Sequence, residues 1–439
     1  TAGVEGQGIR TRGPANRHGI AQIEAIDGPP SGRYRAGAMV AKMRHRRRGG
    51  QAMQGWTVVL VLGCIAWLAI AVMSLRNLWA VRLFEAVRAP IPPQWPRLSV
   101  IVPACNEGAT LEAASVSLRA QDYPDLEILL VDDRSTDDTG ALVDRIAATD
   151  PRIMPLHIQH LPDGWLGKVH AMHVATQQAT GDWLLYTDAD VHHAPGTLRD
   201  AIAWAEAEKL DHLTLVPQFH SSTWWGEVGL ASFGTVFLAV CRATELGKPG
   251  SDAVLGVGAF NLVRRKALEK TEGFEWLRLE IADDTGLAML LHRHGAKTAL
   301  GVSRSQLSIQ WYASLPDMVH GLEKNMFAVI AQFSWLRAAL AVPALVVNAL
   351  TVPLALVIGP GWLRGLAGLA WLAMAALAVV SWRRVGFRLL PQLLLPVGQL
   401  LMAWVLLRSA WATLRQGGVR WRGTLYPLAQ LREGQRVKL

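Results

Sequence analysis

The sequence predicts an α/β domain carried between membrane-spanning helices, on three observations. Short apolar runs end in acids and turn formers and alternate with stretches of helical hydrophobic period, the pattern of a parallel sheet. Apolar stretches without acidic residues, long enough for membrane helices, lie on both sides of that pattern. Apolar residues make up 51% of the 439-residue chain, a composition that leans toward the membrane class.

Residues 1–52 are rich in Gly and Arg and show no hydrophobic period, so a disordered basic tail is expected, or a segment outside the natural protein. One transmembrane helix is expected over 54–76, because Trp56 to Leu75 carries no charge and Arg76 closes it. A cleaved signal peptide fits less well, since the apolar core is too long and no small-residue cleavage site precedes Arg76. The α/β domain is expected over 97–330. Leu98 to Glu107 is a buried strand entering a polar turn, and Leu126 to Val131 repeats it before Asp132-Asp133. Between and after these strands, Ala109 to Gln121 and Thr139 to Ala148 place apolar residues at helical spacing. A C-terminal transmembrane region of two to three helices is expected over 336–411, from Ala338 to Ile358, Leu366 to Trp382 and Leu389 to Leu407. The last stretch contains Pro391 and Pro396, so it is read as kinked, or as dipping into a bilayer without crossing it. Residues 412–439 are expected to be a basic cytoplasmic tail.

Asp188 and Asp190 follow the apolar run Trp183 to Tyr186 and so sit at the C-terminal end of a strand, where open α/β sheets bind ligands. Two carboxylates at that spacing suit one Mg²⁺ or Mn²⁺ with coordination positions left for phosphate oxygens, and a nucleoside diphosphate is the natural third partner. Taken alone the spacing more often describes a solvated loop, and its neighbours in the sequence reverse that reading. Lys168 follows a glycine-flanked turn and opens a helix, where a cation and free N–H groups converge as a diphosphate requires. Asp283 and Asp284 begin an amphipathic helix over Thr285 to His294, so they either complement its N-terminus or perform chemistry there.

Taken in order, Pro103, Asn106-Glu107, the Asp132-Asp133 run with Ser135 and Asp137, Gly164 to Lys168, and Asp188 with Asp190 resemble family 2 glycosyltransferases across 97–330. The resemblance implies a GT-A (Rossmann-like) fold, a nucleotide-diphosphate donor, usually a UDP-sugar, and inverting transfer. By motif position it makes Asp133 the partner of a uracil ring, with Pro103 and Glu107 lining the nucleoside pocket. It places Asp188 between ribose and metal, Asp190 on the metal, and Lys168 on the diphosphate. Asp137 and Ser135 are open between this site and helix capping. It also makes Asp284 the general base, with Asp283 as its neighbour or a capping residue, and a carboxylate beside another should have a raised pKa.

Val254 to Arg265 and Gly273-Phe274 resemble the acceptor-side segment of relatives that act on lipids, with Gly256 and Gly258 giving the substrate close backbone approach. The branch is the membrane-bound, non-processive one that contains ceramide glucosyltransferases and hopanoid- and carotenoid-associated enzymes. The Gln/Arg-x-x-Arg-Trp pattern of many relatives is absent, which leaves Trp311 or Lys324 as substitutes unless residues 315–335 are simply an interfacial helix. The implied function is transfer of one sugar to a lipid or polyprenoid hydroxyl at the inner membrane. The alternatives are a processive polysaccharide synthase, or a non-enzymatic scaffold or transporter with a degenerate nucleotide fold.

The net charge of +9 is terminal: ten basic and three acidic residues lie in the first fifty, and seven basic residues against Glu433 lie from Arg408 onward. That distribution reads as attraction to anionic lipid, and no nucleic-acid partner is expected. Cys64, Cys105 and Cys241 form no disulfide framework and no zinc-type spacing, in keeping with a reducing cytoplasm. The basic cluster at 42–48 would retain the N-terminus inside, whereas a start at Met53 leaves Arg76, Arg82, Arg88 and Arg97 to hold the catalytic domain in the cytoplasm. The second orientation is expected, because nucleotide sugars are cytoplasmic. Trp335, Trp362, Trp382 and Trp411 fall at expected membrane boundaries; Trp224 and Trp225 are open between acceptor contact and a core or interfacial role.

Overall fold

The computed structural model describes residues 32–248 and 250–438, with side chains described from position 55. The chain divides into two units, 1–56 and 57–439. In the first, the disorder expected over 1–52 lies outside the described residues up to position 31. From Gly32 the backbone is helical, which corrects the expectation over 32–52; Ala, Met, Lys and Arg there are strong helix formers and no proline interrupts them.

Helix α1 (Gly32–Ala80) leads into β1 (Arg82–Leu83), β2 (Leu98–Ala104), α2 (Leu111–Arg119), β3 (Leu126–Asp133), α3 (Thr139–Ala147) and β4 (Ile153–Ile158). Next come α4 (Gly167–Gln178), β5 (Trp183–Tyr186), β6 (Val191–His193), α5 (Thr197–Ala207), β7 (His212–Val216), β8 (Gln218–Ser221) and α6 (Trp224–Val240). The domain closes with β9 (Asn261–Arg264), α7 (Arg265–Leu268), α8 (Asp283–Arg293), β10 (Thr298–Val302), β11 (Leu307–Tyr312) and α9 (Leu315–Val329). Three long helices and one short one follow: α10 (Trp335–Ile358), α11 (Gly361–Val385), α12 (Leu389–Leu393) and α13 (Leu395–Gln416). Strands β12 (Gly418–Trp421) and β13 (Thr424–Pro427) and helix α14 (Leu428–Gly434) complete the fold.

The main sheet has the order β1-β10-β7-β9-β5-β2-β3-β4. It is parallel through β2, β3 and β4, as the strand pattern implies, and mixed overall, because β9 runs antiparallel to both β5 and β7. Buried parallel strands need apolar residues on both faces. Ile101, Leu129, Val131, Leu184 and Tyr186 therefore point to the core under α4 and α8, and Val100, Val102, Ile128, Leu130 and Leu185 to the core under α2, α3 and α5. A smaller sheet, β6-β11-β8, carries the chain from the strand ends toward α9.

Among the described residues four helical segments, Gly55–Ala80, Trp335–Ile358, Gly361–Val385 and Leu395–Gln416, are long and apolar enough to cross a membrane. Small residues let two of them meet: a Cβ on Gly63 would lie 2.2 Å from Thr351 Oγ1, and Trp67 Nε1 donates to the Asn348 carbonyl at 2.8 Å. The last stretch is broken at Leu394, ahead of Pro396, into α12 and α13. Gln399 near the start of α13 accepts from Asn348 Nδ2 at 3.0 Å, about 20 Å along α10 by helical rise. Near the other end of α13, Ser409 Oγ accepts from the Phe327 amide of α9 at 3.0 Å, and Arg408 pairs with Glu323. Helix α13 thus starts at mid-length of α10 and returns to the end where α9 joins the α/β domain.

Candidate active site

The crevice lies at the carboxyl ends of β2 and β5, roofed by the start of α4 on one side and of α8 on the other. Pro103, Lys168, Asp188, Gly258, Asp283 and Asp284 line it together. Helix α4 begins after Gly164, whose φ of 78° makes the turn that only glycine adopts cheaply, and its N-cap Leu166 supplies no side-chain acceptor. Lys168 in that first turn extends its ammonium to Asp188 Oδ1 at 2.8 Å and Asp283 Oδ2 at 3.2 Å. One lysine therefore ties the strand-end acids to the acids opening α8. Burial opposes its charge, but Asp188 and Asp283 outweigh burial and hold its pKa above the usual lysine range.

The four carboxylates differ. Asp188 is opposed by burial, which Lys168 outweighs, with Lys324 and Arg422 adding, so it stays below the usual carboxylate range. Asp190 has no ion pair among the described residues; burial first, then Asp188 and Glu107, push it up to about 7. Asp283 is buried and committed to Lys168. Asp284 is half-buried and accepts the Gly258 amide at 3.0 Å and the Thr285 amide at 2.7 Å, yet burial and then Asp283 push it up to about 6.

The two glycines on the acceptor side allow the chain to approach itself. A Cβ on Gly256 would fall 1.9 Å from the Asp284 carbonyl, and one on Gly258 would fall 2.8 Å from Asp188 Oδ2. Trp311 packs among Phe219, Phe233 and Tyr312, with ring centroids 5.3, 4.7 and 5.1 Å away. Its neighbour Tyr312 faces the acids: burial, then Asp190 and Asp188, hold its phenol above the usual range.

Asp133 is covered. Arg134 clasps both its oxygens at 2.7 and 3.1 Å, and a Cβ on Gly167 would lie 2.3 Å from Asp133 Oδ2. A base approaching β3 meets this ion pair in place of a bare carboxylate. Asp137 caps the turn instead of reaching into the crevice, accepting from the amides of Thr139 at 3.0 Å and Gly108 at 3.2 Å. Ser135 Oγ accepts the Asn106 amide at 3.0 Å, which joins the β2 and β3 turns.

Sequence reasoning missed the C-terminal hairpin, because its arginines were read as a solvated tail. Tyr426 is buried and its hydroxyl accepts the Gly167 amide at 3.2 Å. Arg422 pairs with Glu107, and Lys324 Nζ stands 3.8 Å from the centroid of Trp421. The signal was there: Val419 to Tyr426 alternates around Arg422-Gly423, and these two residues take φ of 48° and 81°, the hallmark of a tight two-residue hairpin turn. Asn106 and Arg134 also have positive φ, both 56°. Each non-glycine residue so placed costs roughly 1 kcal/mol or more, and such strain gathers at functional sites.

Residues 99–271 match the profile described as glycosyl transferase family 2. The chain therefore contains a family 2 glycosyltransferase domain on a mixed α/β sheet, the GT-A architecture the motifs imply. Among relatives, it is 26% identical over 278 residues to a beta-monoglucosyldiacylglycerol synthase of Synechocystis sp., covering 59% of this chain and 56% of that one. Over 103 residues it is 37% identical to a GalNAc(5)-diNAcBac-PP-undecaprenol beta-1,3-glucosyltransferase of Campylobacter jejuni, covering 24% of this chain and 32% of that one. In both cases the match spans less than two thirds of the relative. Among solved structures, a Pyrobaculum calidifontis mannosyltransferase in complex with GDP-Man and Mn²⁺ superposes with a TM-score of 0.47 at 21% identity, over 80% of this chain and 99% of that one.

Proposed function

We propose that the chain transfers a sugar, with inversion, from a nucleoside-diphosphate donor of the UDP-sugar type to a hydroxyl of a lipid or polyprenoid at the membrane surface. The observation that carries this reading is one crevice in which Lys168 joins the strand-end Asp188 to the acid pair opening α8. A transfer of this kind needs a donor side that tolerates phosphate and an acceptor side with a proton acceptor, and both are present within reach of one ammonium. The named activities of the two relatives, on a diacylglycerol lipid and a polyprenyl diphosphate, support the acceptor class.

On the donor side, Pro103 and Glu107 border the nucleoside end, and Asp188 and Asp190 would hold a Mg²⁺ or Mn²⁺. The donor set fits a hard cation that keeps positions for phosphate oxygens: two carboxylates one residue apart, of which Asp190 has no ion pair among the described residues. When bound, such an ion neutralises the charge that develops on the departing diphosphate. On the acceptor side, Asp284 takes the hydroxyl proton as the oxygen attacks the anomeric carbon. The bond from that carbon to the diphosphate breaks, and the nucleoside diphosphate leaves with the bonding electrons. Gly258 and Thr285 fix the Asp284 carboxylate through their amides, and Asp283 is held away from the acceptor by Lys168.

The membrane arrangement follows the same logic. Helix α1 ends at the α/β domain, α10 leaves it, α11 returns to it, and α12 with α13 dips to mid-length of α10 and comes back. This places the C-terminal hairpin on the catalytic side, which is proposed to be the cytoplasmic face of the inner membrane. A reporter fused after Leu439 should read cytoplasmic; an external reading would remove nucleotide sugars as donors. The activity itself is tested by incubating the purified protein with UDP-sugars and membrane-extracted lipids and weighing the products by mass spectrometry. A lipid gaining one hexose or N-acetylhexosamine is expected, and its absence with every nucleotide sugar tried would sink the reading.

A further inference from the structure

We infer that the hairpin β12–β13, which follows the last apolar helix, is a wall of the donor site, and that Arg422 at its turn binds the donor's diphosphate together with Lys324. The inference rests on the donor reading above and adds residues that lie outside the matched family segment, which ends at 271.

Three independent observations converge. The hairpin is anchored over the crevice rather than free. Tyr426 accepts the amide of Gly167, one residue before Lys168, and Arg134 Nη1 reaches Thr424 Oγ1 at 3.5 Å. The chain beyond it is held as well, for the amides of Arg436 and Val437 donate to the buried Glu280 at 2.6 and 2.9 Å, three residues before the acid pair. The hairpin therefore touches the loops that carry the donor-side residues, and the chain that follows it holds the loop ahead of the acid pair.

The second observation is the crowding of cations. Lys324 of α9 lies over the Trp421 ring, and burial, then the neighbouring Lys168, push it down to about 8 against the opposing pull of Asp283 and Asp188, with Arg422 adding to the downward shift. No carboxylate forms an ion pair with Lys324 among the described residues, whereas Lys168 has two. Lys324 is thus a half-buried ammonium that no carboxylate bonds directly, and such a group beside the paired Lys168 is suited to a polyanion that comes with the substrate. A diphosphate offers two linked anionic groups, and a guanidinium fork can engage it bidentately while an ammonium meets it as a point charge.

The third observation is the backbone at Arg422. Its φ of 48° occupies a turn position where glycine or asparagine would be unstrained. The arginine there points its guanidinium at Glu107 and, at 3.4 Å, at the Asn106 carbonyl, which puts it on the nucleoside end of the crevice. An arginine kept in a glycine position is explained by what its side chain reaches. Glu107 holds it in place, and the donor's diphosphate draws it from that carboxylate. Leaving-group binding, for which the missing Arg-Trp pattern leaves Trp311 or Lys324 as substitutes, is thereby shared between Lys324 and the turn of the C-terminal hairpin.

The test uses the full-length protein in detergent and calorimetric titration with UDP and UMP, which share a base and differ by one phosphate. Arg422→Gly suits the backbone better than the native residue, so its melting temperature should hold or rise. Its affinity for UDP should nonetheless fall by about 10- to 100-fold, as for loss of hydrogen bonds to a charged group. UMP affinity should change by less than about threefold, and Arg422→Lys should recover part of the UDP loss. Unchanged UDP binding in Arg422→Gly, or equal loss of UDP and UMP, would overturn the hairpin assignment alone. A wild-type protein that binds UDP no better than UMP would overturn the donor reading, and this inference with it.

Discussion

The two sides of the crevice solve opposite electrostatic problems. On the donor side, two acids are met by cations, Glu107 by Arg422 and Asp188 by Lys168, and Asp190 is left open for a metal. On the acceptor side, Asp283 takes the shared lysine, and Asp284 is left with two backbone amides and no cation of its own. The difference teaches what each side is for. A donor site must accept phosphates and a metal, so two of its acids hold exchangeable cations and a third, Asp190, is left unpaired. An acceptor site must accept one proton, so one carboxylate is buried beside another and its pKa rises.

The largest expected effect comes from removing donor-side charge. Asp190→Asn takes away the proposed metal ligand without disturbing an ion pair and should lower turnover by roughly 10³ or more, in line with the several kcal/mol a metal supplies. Chelation should do the same to the wild type. Normal transfer rates in chelator-treated protein would show that the two sides do not differ by a metal.

Asp284→Asn should cost about 10² to 10⁴ in turnover, the usual contribution of a positioned base, with UDP affinity nearly unchanged. Equal loss of turnover and UDP binding would move Asp284 to the donor side and erase the contrast. The pH dependence sharpens this. Asp284 must be ionised to act, and burial, then Asp283, raise its pKa to about 6 while Lys168 opposes the shift and Asp188 reinforces it. Turnover should therefore rise with pH through about 6 and level off above it. In Asp284→Asn the residual rate should lose that limb; a residual profile still rising through 6 would assign the limb to another group.

A smaller effect should come from shape alone. Gly256→Ala drives a methyl into the Asp284 carbonyl, where both contacting atoms are backbone. Destabilisation of about 1–3 kcal/mol is expected, the range for overpacking, and with it a lower melting temperature and displacement of Asp284. Gly164→Ala on the donor side has open space around its Cβ, and only its φ of 78° resists, so its cost should be nearer 1 kcal/mol. Equal costs at the two positions would mean that the acceptor rim is not the more tightly packed one.

Much of this was legible in the chain, for identifiable reasons. The strand-end acids were visible because apolar runs such as Trp183 to Tyr186 announce a strand and Asp188 and Asp190 follow at once. The pairing of Lys168 with both Asp188 and Asp283 was not legible, because it joins residues 115 apart through sheet closure. Strand β9 read as an acceptor-side segment; that it enters the sheet antiparallel depends on which neighbours it finds. The C-terminal hairpin was misread for a different reason. Its arginines dominated the composition of the tail, while the two-residue turn and the alternation that puts Val419 and Trp421 on one face with Tyr426 carried the structural signal.

The smallest expected effect concerns Trp311, which belongs to neither set of charges. It sits in an aromatic cluster that links Phe233 of the apolar helix α6 to Tyr312, and Tyr312 faces Asp188 and Asp190. If an acceptor lipid reaches the crevice along α6, Trp311 contacts its chain or headgroup and has no part in bond making. Trp311→Phe preserves the ring packing and should leave turnover at saturating acceptor within about twofold. Trp311→Leu gives up aromatic contacts of about 0.5–1.5 kcal/mol, so the KM for acceptor should rise several-fold, with the KM for the nucleotide sugar and kcat unchanged. A change in nucleotide-sugar KM instead would place Trp311 on the donor side, and the division of the crevice into a phosphate- and metal-accepting half and a proton-accepting half would have to be redrawn around β11.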